Sequence, residues 1–293
     1  MDLGGTKTAL IALGSSNEVL LTDRRPTPRA QGYRAILQNI RDMVCDAERR
    51  LGGPSARVGV GVPGALSPDT GRIRNANTTC LNGAPLLQDL CEILGRTVRI
   101  ANDADCFALS EAQDGAGAGA GAVFAVIAGT GTGAGVVVQG QLLQGPNAIA
   151  GEWGHTPLPW PVAHELPGPE CYCGRHGCVE TWLSGPGLAA DHQRHTGQEC
   201  TAKQIAEAAL QADAEALATL ERHAERFARS LAVVINILDP DVVVLGGGVS
   251  QIAGLVESIE ARWARHIFTD VVRTRLCIAK HGDASGVRGA AWL

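Results

Sequence analysis

The chain has 293 residues, 45% apolar and 19% charged, with a formal net charge of −5, a globular composition long enough for two domain cores. It has no block of like charge and no apolar run of membrane-spanning length, which argues against nucleic acid or a membrane as its main partner. The opening "MDLGGTK" has no charged-then-apolar leader pattern, so the expectation is a cytoplasmic protein.

Short β-branched runs alternate with longer helical stretches, which predicts an α/β class. "DLGGTKT" (2–8) is a tight glycine turn carrying Asp2, Gly4, Gly5, Thr6 and Lys7. A helix is expected over 33–51. "RVGVGVPG" (57–64) and "TVRIAND" (97–103) read as strands, with polar loops at "GVPGALSP" (61–68) and "NANTTCLNG" (75–83). "RIANDADCFALSEA" (99–112) passes from strand to helix with Asn102 and Asp103 at the junction. An aspartate there serves either as a plain helix N-cap or as a carboxylate at the mouth of a strand, and position alone leaves both open. "DGAGAGAGA" (114–122) is expected to be a flexible connection.

"AVFAVIAGTGTG" (122–133) ends in a second glycine turn, with Gly129, Thr130, Gly131, Thr132 and Gly133, and 133–145 looks like its return strand. A helical region is expected over 202–238, opened by a Thr201/Gln204 capping box and closed by Pro240. "LGGGVS" (245–250) places Gly246, Gly247 and Gly248 at the end of a valine-rich strand. None of these turns fits the G-x-x-x-x-G-K-[ST] loop or the dinucleotide fingerprint. A glycine turn can wrap phosphate oxygens with its N–H groups, although most hairpin turns only turn. Three in one α/β chain shift the balance toward a nucleotide.

Of nine cysteines, six are scattered singly among apolar segments and three crowd into "CYCGRHGC" (171–178). Cys171, Cys173 and Cys178 have His155 sixteen positions upstream. Three thiolates and an imidazole make a closed Cys₃His zinc site of the structural kind, and the C-x-C pair is too close for the usual redox motif.

The combination "DLGGT", "GTGTG" and a late "GGG" resembles the phosphate and adenosine turns of the actin/hexokinase/Hsp70 superfamily. "GEWGH" (151–155) followed by "CYCGRHGCVE" is similar to the signature of the ROK sugar kinases, over essentially the whole chain. The resemblance implies a two-lobed, ribonuclease H-like fold with the active site in the cleft. Residues 1–110 would form the first lobe and 111–293 the second, with the last helix packing back on the first. It implies an ATP-dependent hexose kinase closest in pattern to the fructokinase/mannokinase group, with fructose as the expected acceptor. Mannose, glucose and N-acetylhexosamines are the runners-up, and a non-catalytic sugar sensor is the alternative of another class.

By the same resemblance Asp103 is the catalytic base. Gly64, Asn77, Asn102, Glu152, His155 and Glu180 join it around the sugar, and the three glycine turns hold ATP, with Lys7 a phosphate contact. Asp2 would hold Mg²⁺ through water, and zinc would take His155 and the three cysteines, stapling Glu152 and Glu180 together at the sugar pocket. Lys7 and Glu180, taken alone, read as ordinary solvated residues. A homodimer is the family habit. Two departures stand out: Asp105 replaces the usual asparagine of N-D-A-N, and Met1 sits directly against Asp2, which leaves little first strand to anchor the first turn.

Overall fold

The computed structural model describes residues 1–54 and 57–293. The first sheet contains β1 (Asp2–Leu3), β2 (Lys7–Leu13), β3 (Val19–Pro26), β4 (Val58–Val62) and β7 (Val98–Asn102), ordered β3-β2-β1-β4-β7. A small hairpin of β5 (Ala65–Leu66) and β6 (Ile73–Arg74) projects beyond β4. The second sheet contains β8 (Ala122–Ala128), β9 (Thr132–Val138), β10 (Gln141–Leu142), β11 (Val242–Gly246) and β12 (Arg275–Ile278), ordered β10-β9-β8-β11-β12. Both sheets follow one plan: three antiparallel strands, then two added in parallel. The "strand, glycine turn, strand" pattern seen twice in the sequence is the β1–β2 and β8–β9 hairpin at equivalent places in the two sheets.

The helices form where apolar residues recur every three or four positions. In α1 (Tyr33–Leu51) that stripe is Ile36, Leu37, Ile40, Met43, Val44 and Ala47, all buried. It packs with α2 (Leu86–Leu94) against the first sheet, around Leu3, Leu10, Val60 and Val98. The second core joins α4 (Glu180–Leu183), α5 (Gly185–Thr196), α6 (Ala202–Leu210), α7 (Ala214–Leu238) and α8 (Leu255–Trp263) to β8, β9 and β11. The helical region expected over 202–238 is thus two helices. Ala212 takes a positive φ of 62°, and Asp213 restarts the chain as an N-cap accepting from the Ala216 N–H. The Thr201/Gln204 capping box forms as expected.

Between the sheets lies α3 (Asp103–Gln113), which carries Phe107, Ala108 and Leu109 onto Val123, Val137 and Val244 of the second sheet. Residue 110 falls inside this helix. The last helix, α9 (Ser285–Trp292), lies against both α3 and β4. The approach is so close that a side chain on Gly289 would strike the Cys106 carbonyl, and one on Gly59 the Ala290 carbonyl. The stretch 114–121, expected to be loose, is hydrogen-bonded back onto α3. Glu111, fully buried, accepts from the N–H groups of Ala116, Lys280 and His281 and from the Ser285 hydroxyl. No helix among the described residues is long and apolar enough to cross a membrane.

Candidate active site

Asn102 and Asp103 end β7 and begin α3, and the open question of the cap resolves there. Asn102 is the N-cap: its Oδ1 accepts from the Asp105 N–H at 2.6 Å, and its NH₂ has no acceptor among the described residues. The Asp103 carboxylate accepts from the adjacent Ala104 N–H at 2.9 Å, a local backbone contact. Its carboxyl is solvent-accessible yet low enough in the cleft that desolvation raises its pKa above the ordinary value. Asp2 shows the same upward shift, first from burial and then, among other charges, from Asp103 itself. The start of β1 and the start of α3 therefore bring two carboxylates into electrostatic contact.

The first glycine turn is held although β1 is only two residues long. Asp2 pairs with Ala9 on one side and Gly61 on the other. Thr27, part of "RPTPR", closes over the turn: its hydroxyl donates to the Gly4 carbonyl at 2.7 Å, and its N–H donates to the Thr6 carbonyl at 3.0 Å. Thr8 completes this contact, its hydroxyl 2.9 Å from that of Thr27. Gly5 faces the buried hydroxyl of Thr78, which has no hydrogen-bond partner among the described residues. Lys7 is exposed.

The second turn is braced by the cysteine segment. Gly185 N–H donates to the Gly129 carbonyl, and Glu180 Oε2 accepts from the Thr132 N–H at 2.8 Å. A side chain on Gly131 would meet that carboxylate at 2.7 Å, and one on Gly154 would meet the Thr132 carbonyl at 2.0 Å. Glycine in "GEWGH" is therefore what allows the segment to lie against the turn.

Between this turn and the "LGGG" segment opens a cleft of about 930 Å³, lined by Gly129, Thr130, Gly248 and, unforeseen from the sequence, Gly185, Lys203 and Gln251. Gly246 and Gly247 do not line it but shape its back. A side chain on the first would strike the Phe107 ring, and one on the second, at φ 81°, the Ala128 carbonyl.

His155, Cys171, Cys173 and Cys178 converge, with one donor atom from each lying within 4.8 Å of all the others. Cys171 Sγ is 3.6 Å from His155 Nδ1, and Cys173 Sγ is 3.6 Å from Cys178 Sγ. That is far beyond a disulfide bond of about 2.05 Å. It is close to the sulfur–sulfur edge of about 3.8 Å that tetrahedral zinc at about 2.3 Å per bond requires. The donor set fits zinc.

The other imidazole nitrogen, Nε2, was expected to face sugar. Here it lies 2.8 Å from the Tyr172 hydroxyl, whose pKa burial and the Glu180 and Glu152 carboxylates push up to about 12. Both expected carboxylates thus act on one phenol, which sequence reasoning passed over because it reads as filler between two cysteines. A smaller cavity, about 60 Å³, is lined by Asn102, Asp105, Glu152, Ala65 and Leu66, among others. Gly64 and Asn77 do not line it. Gly64 takes a φ of 96° because residues 74–76 pass within 2.5–2.9 Å of where its side chain would be, and Asn77 is exposed. Asp105 points inward. It, rather than Asp103, takes most of the mutual repulsion: burial, then Glu152, then Asp103 raise its pKa to about 7.

The ROK family model matches residues 1–293. The chain is 39% identical over its full length, and over 97% of the relative, to the N-acetyl-D-glucosamine kinase of Escherichia coli O1:K1 / APEC. Among solved structures it superposes on a ROK hexokinase from Thermus thermophilus with a TM-score of 0.88 and 31% identity, covering 99% of this chain and 95% of that one. A ROK family glucokinase from Streptomyces griseus, in complex with glucose and AMPPNP, gives a TM-score of 0.75 and 27% identity, covering 99% and 96%.

Proposed function

This chain belongs to the ROK family and is an ATP-dependent sugar kinase, and we propose that it transfers the γ-phosphoryl group to the 6-hydroxyl of a hexose, with N-acetyl-D-glucosamine first among the acceptors. The observation that carries this reading is the Asp103 carboxyl, which is spared from capping α3 and left at the cleft mouth beside Asp2 and the Asn102 amide. The preference for N-acetyl-D-glucosamine comes from the relative that is 39% identical over the whole chain. The fructose preference expected from the sequence finds no support in the relatives compared, whose names give N-acetyl-D-glucosamine, hexose and glucose.

In this mechanism Asp103 takes the hydroxyl proton as the oxygen attacks the γ-phosphorus. Asn102 holds a neighbouring hydroxyl through its NH₂. The amides of the turns around Gly4 and Gly131 stabilise charge developing on the phosphoryl oxygens. ATP lies along the 930 Å³ cleft, its base between α6 and the "GGG" segment. Asp2, a half-buried hard-oxygen ligand near a second carboxylate, fits Mg²⁺ held through water. Bound Mg²⁺ would neutralise the triphosphate. Zinc on His155, Cys171, Cys173 and Cys178 would play a structural part, fixing Glu180 against Thr132 and so the second turn as well as the sugar side.

A panel of hexoses assayed by coupled ADP release tests the reading, with fructose, mannose, glucose and N-acetyl-D-glucosamine included. Substrate-dependent ADP release that vanishes in Asp103→Asn is expected. Release that persists in that variant removes Asp103 from its role, and sugar binding with no release under any condition favours a sensor.

A further inference from the structure

The cysteine segment carries one side chain that neither the metal cluster nor the phosphoryl transfer uses. Tyr172 stands between Cys171 and Cys173, and it is 82% exposed. Its contact is with His155: the hydroxyl lies 2.8 Å from Nε2, and the two rings meet edge to face at 5.0 Å. The backbone beneath it is held in a turn, with the Cys171 N–H on the Arg175 carbonyl and the Gly174 N–H on the Cys171 carbonyl.

The polarity of the contact follows from the other side of the imidazole. Nδ1 faces Cys171 Sγ at 3.6 Å. A metal there would take the Nδ1 lone pair, which leaves the ring proton on Nε2. Nε2–H then donates to the phenol oxygen, and the phenol keeps its own proton to give. No acceptor for that proton is present among the described residues. The carboxylates of Glu180 and Glu152 act on the same hydroxyl, and Glu152 shares the wall of the 60 Å³ cavity with Asn102. The three residues expected around the sugar from the second lobe thus converge on one exposed hydroxyl.

Resting on the kinase reading above, we propose that Tyr172 is an acceptor-binding residue whose hydroxyl, oriented by the His155 N–H, donates to a non-reacting oxygen of the hexose. The imidazole then reaches the sugar through the phenol instead of directly, which accounts for an Nε2 already engaged in a site open to substrate. Glu152 and Glu180 are left to accept from neighbouring sugar hydroxyls. Tyr172 takes no part in bond making. Since the side chain is exposed, Tyr172→Phe removes the hydroxyl and little else, and the fold tolerates it.

The experiment compares the wild type and Tyr172→Phe on fructose, mannose, glucose and N-acetyl-D-glucosamine. It uses coupled ADP release, titration calorimetry of each sugar without nucleotide, and zinc content by elemental mass spectrometry. For the hexose with the highest kcat/KM, the KM and the calorimetric Kd should both rise about 3- to 10-fold, the loss of one hydrogen bond. The kcat, the KM for ATP, the zinc content and the Tm should not change. Sugar binding that is unchanged or tighter in the variant overturns the proposal, because the sugar then ignores or displaces the phenol. Loss of zinc, or a KM for ATP that rises as much as that for sugar, also overturns it, because the phenol then serves only to orient a metal ligand. The two readings fail separately. Absence of ADP release from every sugar, with a sugar affinity that still depends on the Tyr172 hydroxyl, removes the kinase reading and leaves this contact standing.

Discussion

Asp105→Asn makes a stability prediction that can be worked from the structure. Burial, Glu152 and Asp103 raise the Asp105 pKa from 3.8 to about 7. An acid that holds its proton more tightly in the folded chain than in the unfolded one contributes stability that is complete below the unfolded value. That contribution is lost as pH climbs through the folded one. The window therefore runs from about pH 4 to about pH 7, and above it the wild type carries the charged form in full. At about 1.36 kcal/mol per pKa unit, the unfavourable charge is worth a ceiling of about 4 kcal/mol. Side-chain relaxation and entering water reduce this, and about 2 kcal/mol is the expected gap. Asparagine has nearly the same shape and no charge, so the variant should match the wild type near pH 4 and exceed it by about 4–8 °C in Tm at pH 8. The assay is thermal melting of both proteins, free of nucleotide and sugar, across that range. A gap independent of pH, or a variant less stable than the wild type at pH 8, would refute the reasoning, because either outcome means that the pocket does not disfavour the Asp105 charge.

Asp103→Asn should lower kcat by about 10²–10⁴-fold while leaving sugar affinity within a few fold, read by steady-state kinetics and calorimetry. Removing metal with a strong chelator, or replacing Cys178 with Ser, should abolish a stoichiometric zinc measured by elemental mass spectrometry and lower Tm. An untreated protein free of zinc but fully active would exclude a structural metal. Gly131→Ala puts a methyl 2.7 Å from Glu180 Oε2, so the carboxylate must release the Thr132 amide. The expected result is a KM for ATP raised several fold, with sugar affinity less affected. Thr27→Val removes the hydroxyl bonded to Gly4 and Thr8. It should destabilise by about 1–3 kcal/mol in urea melts and raise the KM for ATP.

Several features were legible in the sequence because they depend on residues near one another in the chain. The hairpin turns, the 33–51 helix and the Cys₃His cluster each follow from local pattern: glycines between β-branched runs, a stripe at helical spacing, and thiols with an imidazole upstream. The break at residues 211–213 was less visible, because the apolar period continues through it. Only Asp213, a good N-cap residue set in a helix-forming run, marks the restart. Contacts made across long sequence separations could not be read at all. Nothing near Thr27 says that it closes over Gly4, and nothing near Tyr172 says that its hydroxyl reaches His155. The orientation of Asp105 depends on how α3 lies against β9, where a side chain on Gly135 would come within 2.7–3.1 Å of Ala108, Ala104 and Asp105.

The staple inferred from the cysteines has a wider reach than the sugar pocket it was first assigned to. From Cys178 the chain proceeds in two residues to Glu180, whose carboxylate receives the Thr132 N–H, and in seven to Gly185, whose own N–H donates to Gly129. From His155 it runs back to Gly154, packed on the Thr132 carbonyl, and to Glu152 on the wall of the 60 Å³ cavity. A metal held by these four donors would therefore fix two ends of the reaction, the turn proposed to hold phosphate and the wall proposed to hold sugar. In-line transfer needs the distance between these ends held to within a fraction of an ångström. The same coupling predicts that loosening the cluster changes the KM values of both substrates together, whereas a metal serving only the sugar side would move one of them.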